Sequence, residues 1–117
     1  MTTPSPAAPL TADTLEDLRD RLRCFAAERD WEQFHTPKNL AMSVAIEAAE
    51  LMEHFQWLTA AQSSAIDAGA RREAALEMAD VLLYLIRLAD VLAVDLAAAA
   101  RDKIGMNARK YPPTRGL

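Results

Sequence analysis

The stretch IEAAELMEHFQW, residues 46–57, combines an apolar helical pattern with acids at short intervals. Two of these acids, Glu47 and Glu50, are three residues apart, so that they share one face of a helix. A second stretch, EMADVLLYLIR (77–87), repeats this spacing with another pair of acids. Both stretches predict long helices that are apolar nearly all round, and such helices are usually buried or covered by a partner subunit.

The second pair of acids is Glu77 and Asp80, and if the two helices face each other, four carboxylates converge. Carboxylates packed together without compensation repel one another, and their pKa values rise. A divalent cation removes this penalty. Oxygen ligands with no cysteine and no Glu-x-x-His pair favour Mg²⁺, or Mn²⁺ as a substitute, over zinc or a di-iron centre. The alternative is that these acids are ordinary solvated surface residues. If only one of the two pairs were present, this alternative would be favoured.

The 117 residues carry a net charge of −4, which argues against binding to a nucleic acid polymer. This length predicts one domain, which we place at 13–111, between a flexible tail at 1–12 and a C-terminal tail at 112–117. The single cysteine, Cys24, suits a reducing cytoplasm. No membrane span is predicted, because the longest apolar region, 74–100, is interrupted by five charged residues.

Helical periodicity and the lack of strand-like alternation predict an all-α fold of four helices. An aromatic loop at 28–36 separates the first two helices, and a polar connection at 59–70 separates the second and third. Thr36-Pro37 is a typical helix start, with Thr36 as N-cap and Pro37 at the first helical position. The predicted helices run from an N-cap at Asp13 or Thr14 to about Arg29, from Pro37 to about Leu58, over about 71–93, and over about 96–109 behind Asp95 as N-cap.

A cation held by a few carboxylates keeps positions open for water and substrate phosphates. The chain has no glycine-rich phosphate loop, so basic side chains would have to neutralise phosphates. Trp31 and His35 in the loop, and Trp57 after the acids, are candidates for stacking on a nucleobase, although core packing is the commoner role of aromatic rings. The basic candidates, each more commonly a solvated surface cation when taken singly, are Lys38, Lys103, Arg109 and Lys110.

These residues resemble the ExxE…ExxD signature of the MazG-like all-α nucleoside triphosphate pyrophosphohydrolases, and most closely that of the dCTP pyrophosphatase branch. The resemblance covers about residues 15–112. It rests on FAAERDWEQFH (25–35), NL (39–40), ELMEHFQW (50–57), EMADVLLYL (77–85) and the K-x₃-N-x₃-YP pattern of Lys103, Asn107 and Tyr111-Pro112.

The resemblance implies a four-helix MazG-like bundle that assembles through a buried helical interface into a homotetramer, a dimer of dimers. It implies hydrolysis of dCTP to dCMP and diphosphate with Mg²⁺, as housecleaning of the nucleotide pool. The implied metal ligands are Glu47, Glu50, Glu77 and Asp80. For the chemical step we hypothesise an attack by water in which one of these four acids acts as the base, with Glu50 preferred and Glu47 as the second catalytic candidate. The implied substrate-binding residues are Trp31, Glu32, Gln33, Phe34, His35, Trp57, Tyr84, Lys103 and Asn107. To these we add Lys38 as a basic side chain that could bind phosphate.

Two alternatives stay open at this point. The same chemistry could act on another nucleotide, such as dUTP or a modified nucleotide, because nothing in the sequence identifies the base and likeness of fold does not fix a substrate. The protein could instead be a non-enzymatic helical interaction module, with its acids solvated. One departure from the animal members of the family is His54, which stands where those have leucine.

Overall fold

The structure is a computed structural model that describes residues 14–114. All regular secondary structure in that range is helical, which confirms the predicted all-α class. The predicted tail at 1–12, the alternative cap Asp13 and the last residues, 115–117, lie outside the described part. The elements are α1 (Leu15–Glu28), a 3₁₀ turn (Glu32–Phe34), α2 (Pro37–Glu53), α3 (Ala60–Ser63), α4 (Ala68–Val91) and α5 (Leu96–Lys110).

Side-chain caps define where the helices begin. Thr14, Thr36 and Asp95 each accept a hydrogen bond from the backbone N–H three residues further on, and Pro37 occupies the first position of α2. Each such cap satisfies one donor that the first helical turn leaves unpaired, and contributes about 1 kcal/mol. The three caps confirm the predicted starts of α1, α2 and α5.

The end of α2 differs from the prediction. The helix ends at Glu53 rather than near Leu58, and the following residues form turns. The cause lies downstream, where Thr59 and Gln62 form a reciprocal capping box that starts α3. Thr59 therefore adopts extended backbone, with φ −71° and ψ 165°, and the chain must leave α2 before reaching it. Trp57 lies on a turn rather than on the acidic face of α2.

The start of α4 also differs, because the helix begins at Ala68 rather than at about 71. Asp67 is its N-cap and accepts a hydrogen bond from the backbone N–H of Ala70, at 2.8 Å. Gly69 lies inside this first turn, where the sequence suggested a connection. None of the described helices is long and apolar enough to cross a membrane.

The helix α4 packs mainly against α2 and also against α1, whereas α5 packs extensively against neither α2 nor α4. The buried residues are few: Ala26, Leu40, Ala74, Ile86 and Ala89, together with the charged Arg87. The radius of gyration is 17.4 Å, where a compact chain of this length has about 13 Å. Large apolar side chains consequently stay exposed on α2 and α4, namely Met42, Ile46, Met52, Leu76, Met78, Leu82 and Leu85.

We expect Leu40→Ala to be the most damaging of the simple core truncations. Leu40 lies in the first turn of α2 and is only 1% exposed, so its loss leaves a cavity and lowers the free energy of unfolding by about 2–5 kcal/mol. Urea denaturation followed by circular dichroism, at a fixed protein concentration, measures the change. The matched control is Leu92→Ala, at an exposed leucine after α4. Equal losses in the two variants would contradict this description of the core.

Candidate metal centre

The packing of α4 on α2 brings three of the four predicted acids together. Carboxylate oxygens of Glu47, Glu77 and Asp80 all lie within 4.8 Å of one another. Glu77 and Asp80 share one face of α4, and Glu47 reaches them from α2. Opposite ligands of a bound Mg²⁺ ion lie about 4 Å apart, so this group of oxygens has the dimensions of a site for one such ion.

The charges that shift the pKa of Glu47 all come from other carboxylates among the described residues. Partial burial is the largest cause that raises the pKa of Glu47 to about 7, followed by a hydrogen bond with Glu50 and by the charges of Glu50, Asp80 and Glu77. Oε2 of Glu47 and Oε2 of Glu77 are buried and have no hydrogen-bond partner among residues 14–114. Buried oxygens without donors are what a hard cation would coordinate, so the residues present fit a divalent metal ion.

Two further side chains of α2 border this group. Glu50 is half-buried one turn after Glu47 and close enough to hydrogen-bond with it, but it is not one of the three acids that converge most closely. His54, at the C-cap of α2, places Nε2 3.8 Å from Oε1 of Glu77. In the sequence, His54 follows Glu47 by seven residues and so continues the acidic face of α2 towards the expected substrate, but we did not include it among the predicted site residues.

The aromatic loop between α1 and α2 has a defined geometry. The backbone N–H of Trp31 donates to the carbonyl of Ala26 at 3.0 Å, and Asp30 adopts a left-handed conformation with φ 54°. Aspartate tolerates this conformation better than most residues. The rings of Phe25 and Trp31 meet edge to face at 5.5 Å between centroids, and those of Trp31 and His35 at 6.2 Å. Trp31 thus joins the loop to α1 and supports His35.

Side-chain amides complete the loop. Asn39 of α2 donates from Nδ2 to the carbonyl of Phe34 at 3.0 Å, and Gln33 donates from Nε2 to the carbonyl of Asp30 at 3.0 Å. The amide of Gln33, predicted to bind substrate, therefore stabilises the loop in this structure. Glu32 and the ring of Phe34 are exposed.

A buried charged network connects this loop to α4. Arg87, only 8% exposed, donates from Nε to Nδ1 of His35 at 3.0 Å, and its Nη1 lies 3.3 Å from Oδ2 of Asp90. Arg23 of α1 binds the same aspartate with two hydrogen bonds, at 2.7 and 2.5 Å. Our site prediction omitted Arg87 and Asp90. The available signal was that Arg87 continues the face of α4 that carries the acids and Tyr84.

The remaining predicted substrate residues lie in different surroundings. Tyr84 is half-buried on α4, between the acids and Arg87, and Lys38 is exposed in the first turn of α2. Trp57 is 86% exposed on the turn after α2. Lys103 and Asn107 are exposed on α5, and the single chain does not pack this helix extensively against α2 or α4. The structure thus brings the acids together but leaves Trp57 and the α5 residues facing outward.

The sequence model of the MazG-like family matches residues 42–116, which include all four acids. The chain belongs to the MazG-like family. The dCTP pyrophosphatase 1 of Homo sapiens is 48% identical over 101 residues, which cover 85% of this chain and 59% of the human protein. The Bos taurus protein of the same name is 46% identical, over 85% of this chain and 60% of its own length. The chain therefore spans about 59% of the length of these curated relatives.

A solved structure gives the same result for the fold of this MazG-like chain. A pyrophosphatase from Archaeoglobus fulgidus superimposes with a TM-score of 0.81 at 40% identity. The match covers 91% of this chain and 99% of the archaeal one. The resemblance inferred from the acidic signature and the flanking motifs is thereby confirmed.

We expect stabilisation by Mg²⁺ to increase with pH. The pKa of Glu47 is about 7 in the folded metal-free protein, against an ordinary value of 4.5. The folded state therefore holds a proton that the unfolded state releases, and metal-free stability falls as the pH rises from about 4.5 to about 7. A cation must displace this proton at low pH but not at high pH. The rise in melting temperature with Mg²⁺ should be larger at pH 8 than at pH 5.5.

The controls for this measurement come from α2 itself. Glu47→Gln should remove most of the Mg²⁺ effect and flatten the pH dependence, whereas Glu53→Gln, at an exposed position of the same helix, should retain both. An equal Mg²⁺ effect at the two pH values, or an unchanged effect in Glu47→Gln, would contradict the assignment of this carboxylate.

Proposed function

We propose that this MazG-like protein is a Mg²⁺-dependent nucleoside triphosphate pyrophosphohydrolase that converts dCTP and water to dCMP and diphosphate. The observation that carries the proposal is the convergence of Glu47, Glu77 and Asp80 with two buried oxygens that lack partners. The names of the relatives, dCTP pyrophosphatase and pyrophosphatase, support the same chemistry. Such an enzyme would remove unwanted nucleoside triphosphates from the nucleotide pool of the cytoplasm. Mn²⁺ could substitute for Mg²⁺ as the metal.

The reaction forms a bond from the water oxygen to the α-phosphorus, breaks one phosphoanhydride bond and transfers one proton from the water. Water attacks the α-phosphorus in line with the bond from that phosphorus to the oxygen shared with the β-phosphate, and diphosphate leaves with this oxygen. When bound, the divalent cation would offset negative charge on the triphosphate and lower the pKa of water. Glu47, Glu77 and Asp80 would hold the cation, and Glu50 would complete the ligand set or accept the proton of the water.

Glu50 is the better placed of the two candidate bases. It lies beside the three convergent acids but outside their closest group, so that one of its oxygens can remain available to the attacking water. Glu47, which has a buried oxygen without a hydrogen-bond partner and interacts with three other carboxylates, is the better placed to bind the cation. The two catalytic assignments therefore divide into a base, Glu50, and a ligand, Glu47.

The nucleoside would bind along the face of α4 that begins at the acids. Tyr84 and the loop side chains Trp31 and His35 lie in that direction, whereas Trp57 points away from the protomer. A ring can stack on any base, and so these residues suit a pyrimidine without excluding other nucleotides. dUTP or a modified nucleotide thus stays as an alternative substrate for the same chemistry.

The pocket would be completed by other copies of the chain. Apolar side chains repeat on exposed faces of α2 and α4, and α5 adds exposed Ile104 and Met106. Many exposed apolar side chains on two neighbouring helices favour an interaction surface. A homotetramer arranged as a dimer of dimers would cover these faces and could bring Lys103 and Asn107 of one subunit to the phosphates bound by another.

We expect Glu50→Gln to lower kcat by about a hundredfold or more, because the amide cannot accept the proton of the water. The measurement is release of diphosphate from a panel of nucleoside triphosphates with Mg²⁺, with dCTP expected to be among the best substrates. Glu53→Gln is the matched control on the same helix and should retain wild-type activity. Both variants should keep the wild-type circular dichroism spectrum.

Two results would decide against this function. Full activity in Glu50→Gln would contradict the assignment of Glu50 as the base. Absence of diphosphate release from every nucleotide by the wild-type protein would favour the interaction module, in which Asp80→Ala should leave the thermal stability with Mg²⁺ and nucleotide unchanged.

The proposed assembly makes its own prediction. Ile46→Glu places a charge on the exposed apolar face of α2 and should convert the tetramer to dimers or monomers, because an unpaired charge is costly to bury. Light scattering after size-exclusion chromatography measures the mass. Arg72→Glu, an exposed position in the first half of α4, is the control and should remain tetrameric. A tetrameric Ile46→Glu protein, or a monomeric wild type, would contradict the proposed interface.

A further inference from the structure

The network around Arg87 lies on the face of α4 that carries the acids. Arg87 follows Asp80 by seven residues, which is two helical turns, or about 10 Å along the axis. Tyr84 lies between them. A nucleotide whose phosphates bind near Asp80 and whose base extends along α4 would therefore place its base or sugar near His35, the residue that Arg87 contacts.

The hydrogen bond between Arg87 and His35 fixes the protonation of the imidazole. A guanidinium group has donors and no acceptor, and it stays charged in proteins. Since Nε of Arg87 donates to Nδ1 of His35 at 3.0 Å, Nδ1 must carry a lone pair. A neutral imidazole then has its hydrogen on Nε2. No described residue accepts a hydrogen bond from that atom, so the N–H is free to bind a ligand.

The charges around His35 favour its neutral form. Burial and, after it, the charge of Arg87 hold the pKa of His35 below its ordinary value, whereas Glu32 of the 3₁₀ turn raises it less. From α1, Arg23 reaches the network only through Asp90, and Trp31 contributes an uncharged ring. A second proton, on Nδ1, would also face the N–H of Arg87 and break the hydrogen bond.

The guanidinium of Arg87 is itself held in place. Its side chain is 10% exposed and that of Asp90 is 9% exposed, and Arg23 closes the network with two hydrogen bonds from α1. Rotation of Arg87 or Asp90 is resisted, because breaking their contact leaves a buried charge without its partner, whereas the side chain of Arg23 is 49% exposed. The orientation of His35 is therefore coupled to the packing of α1 on α4.

We propose that Arg87 is a positioning residue that holds His35 as the neutral Nε2–H tautomer, so that the loop presents one fixed hydrogen-bond donor to an acceptor atom of the nucleoside. The acceptor would be a carbonyl oxygen or ring nitrogen of a pyrimidine, or a sugar hydroxyl oxygen. The inference rests on the proposed function for the identity of the ligand. The state of His35 itself can be tested without any turnover.

Nuclear magnetic resonance of the histidine ring nitrogens tests whether Arg87 holds His35 as the neutral Nε2–H tautomer. The chain has 2 histidines, so a sample labelled with ¹⁵N only at histidine gives two ring systems, and the spectrum of His54→Gln identifies that of His35. In the metal-free wild-type protein at pH 7 we expect His35 to be neutral, with its hydrogen on Nε2. Arg87→Met should give a mixture of both neutral tautomers and a higher pKa of His35. A protonated His35, or one with its hydrogen on Nδ1, in the wild type overturns the proposal.

Steady-state kinetics with dCTP and Mg²⁺ test whether His35 donates a hydrogen bond to the nucleoside. Losing one oriented hydrogen bond to the nucleoside should raise KM about tenfold in Arg87→Met and His35→Ala. Since this bond exists in both ground and transition states, kcat should change by no more than about twofold. Arg72→Lys, an exposed arginine on the same helix, is the control and should keep both constants. An unchanged KM in both network variants overturns the proposal.

A second variant covers the case in which Arg87→Met does not fold. Arg87→Lys keeps a positive charge for Asp90 but places a methylene group where the Nε–H of Arg87 meets His35, and it should show the same loss of tautomer and the same rise in KM. Retention of the Nε2–H tautomer in Arg87→Lys counts against the proposal. The two proposals can be distinguished by their failures. A wild-type protein that has the expected His35 tautomer but no turnover contradicts the pyrophosphohydrolase function. An active protein in which His35 is protonated, or is not held as the Nε2–H tautomer, contradicts only the role of Arg87.

Discussion

The mutual repulsion of the carboxylates between α2 and α4 is the constraint on which the rest of the structure depends. Two helices that pack closely would normally present apolar side chains to each other, yet here Glu47 meets Glu77 and Asp80. In the metal-free protein the penalty is visible in the raised pKa of Glu47 and in two buried oxygens without donors. A chain selected only for stability would have no reason to keep this arrangement.

The exposed surfaces of the protomer, like the acids, have a form that a chain selected only for stability would not need. The core of one chain is small, and apolar side chains of α2 and α4 remain exposed beside the acids. A concavity of about 480 Å³ does lie between α1, the end of α4 and the start of α5, but none of the four acids lines it. In the proposed assembly, another subunit would supply the wall opposite the acids. In this account, folding, oligomerisation and substrate binding share the same two helices.

Much of this architecture could be predicted from the sequence, because it depends on local rules. The caps Thr36 and Asp95 and the i, i+3 spacing of the acids are encoded within a few residues, and the structure follows them. The end of α2 was mispredicted because the capping box at Thr59 competes with continuation of the helix, and periodicity alone does not weigh such competition.

The network at His35 could not be predicted for a different reason. Its two longest connections, from Arg87 to His35 and from Arg23 to Asp90, join residues 52 and 67 positions apart. Helical periodicity places Arg87 on the acidic face but does not say which side chain of another element meets it. The sequence therefore predicted the convergence of acids from α2 and α4 more completely than the contacts around His35.

Anomalous diffraction from crystals grown with Mn²⁺ tests the central claim most directly, because the ion can be located independently of any assumed ligand. The account predicts an anomalous peak about 2 Å from carboxylate oxygens of Glu47, Glu77 and Asp80, with Glu50 within reach of the same ion or of a water bound to it. The account would be contradicted if no anomalous peak lay between α2 and α4. Mn²⁺ would then be bound elsewhere, or these carboxylates would be paired with basic side chains of another subunit.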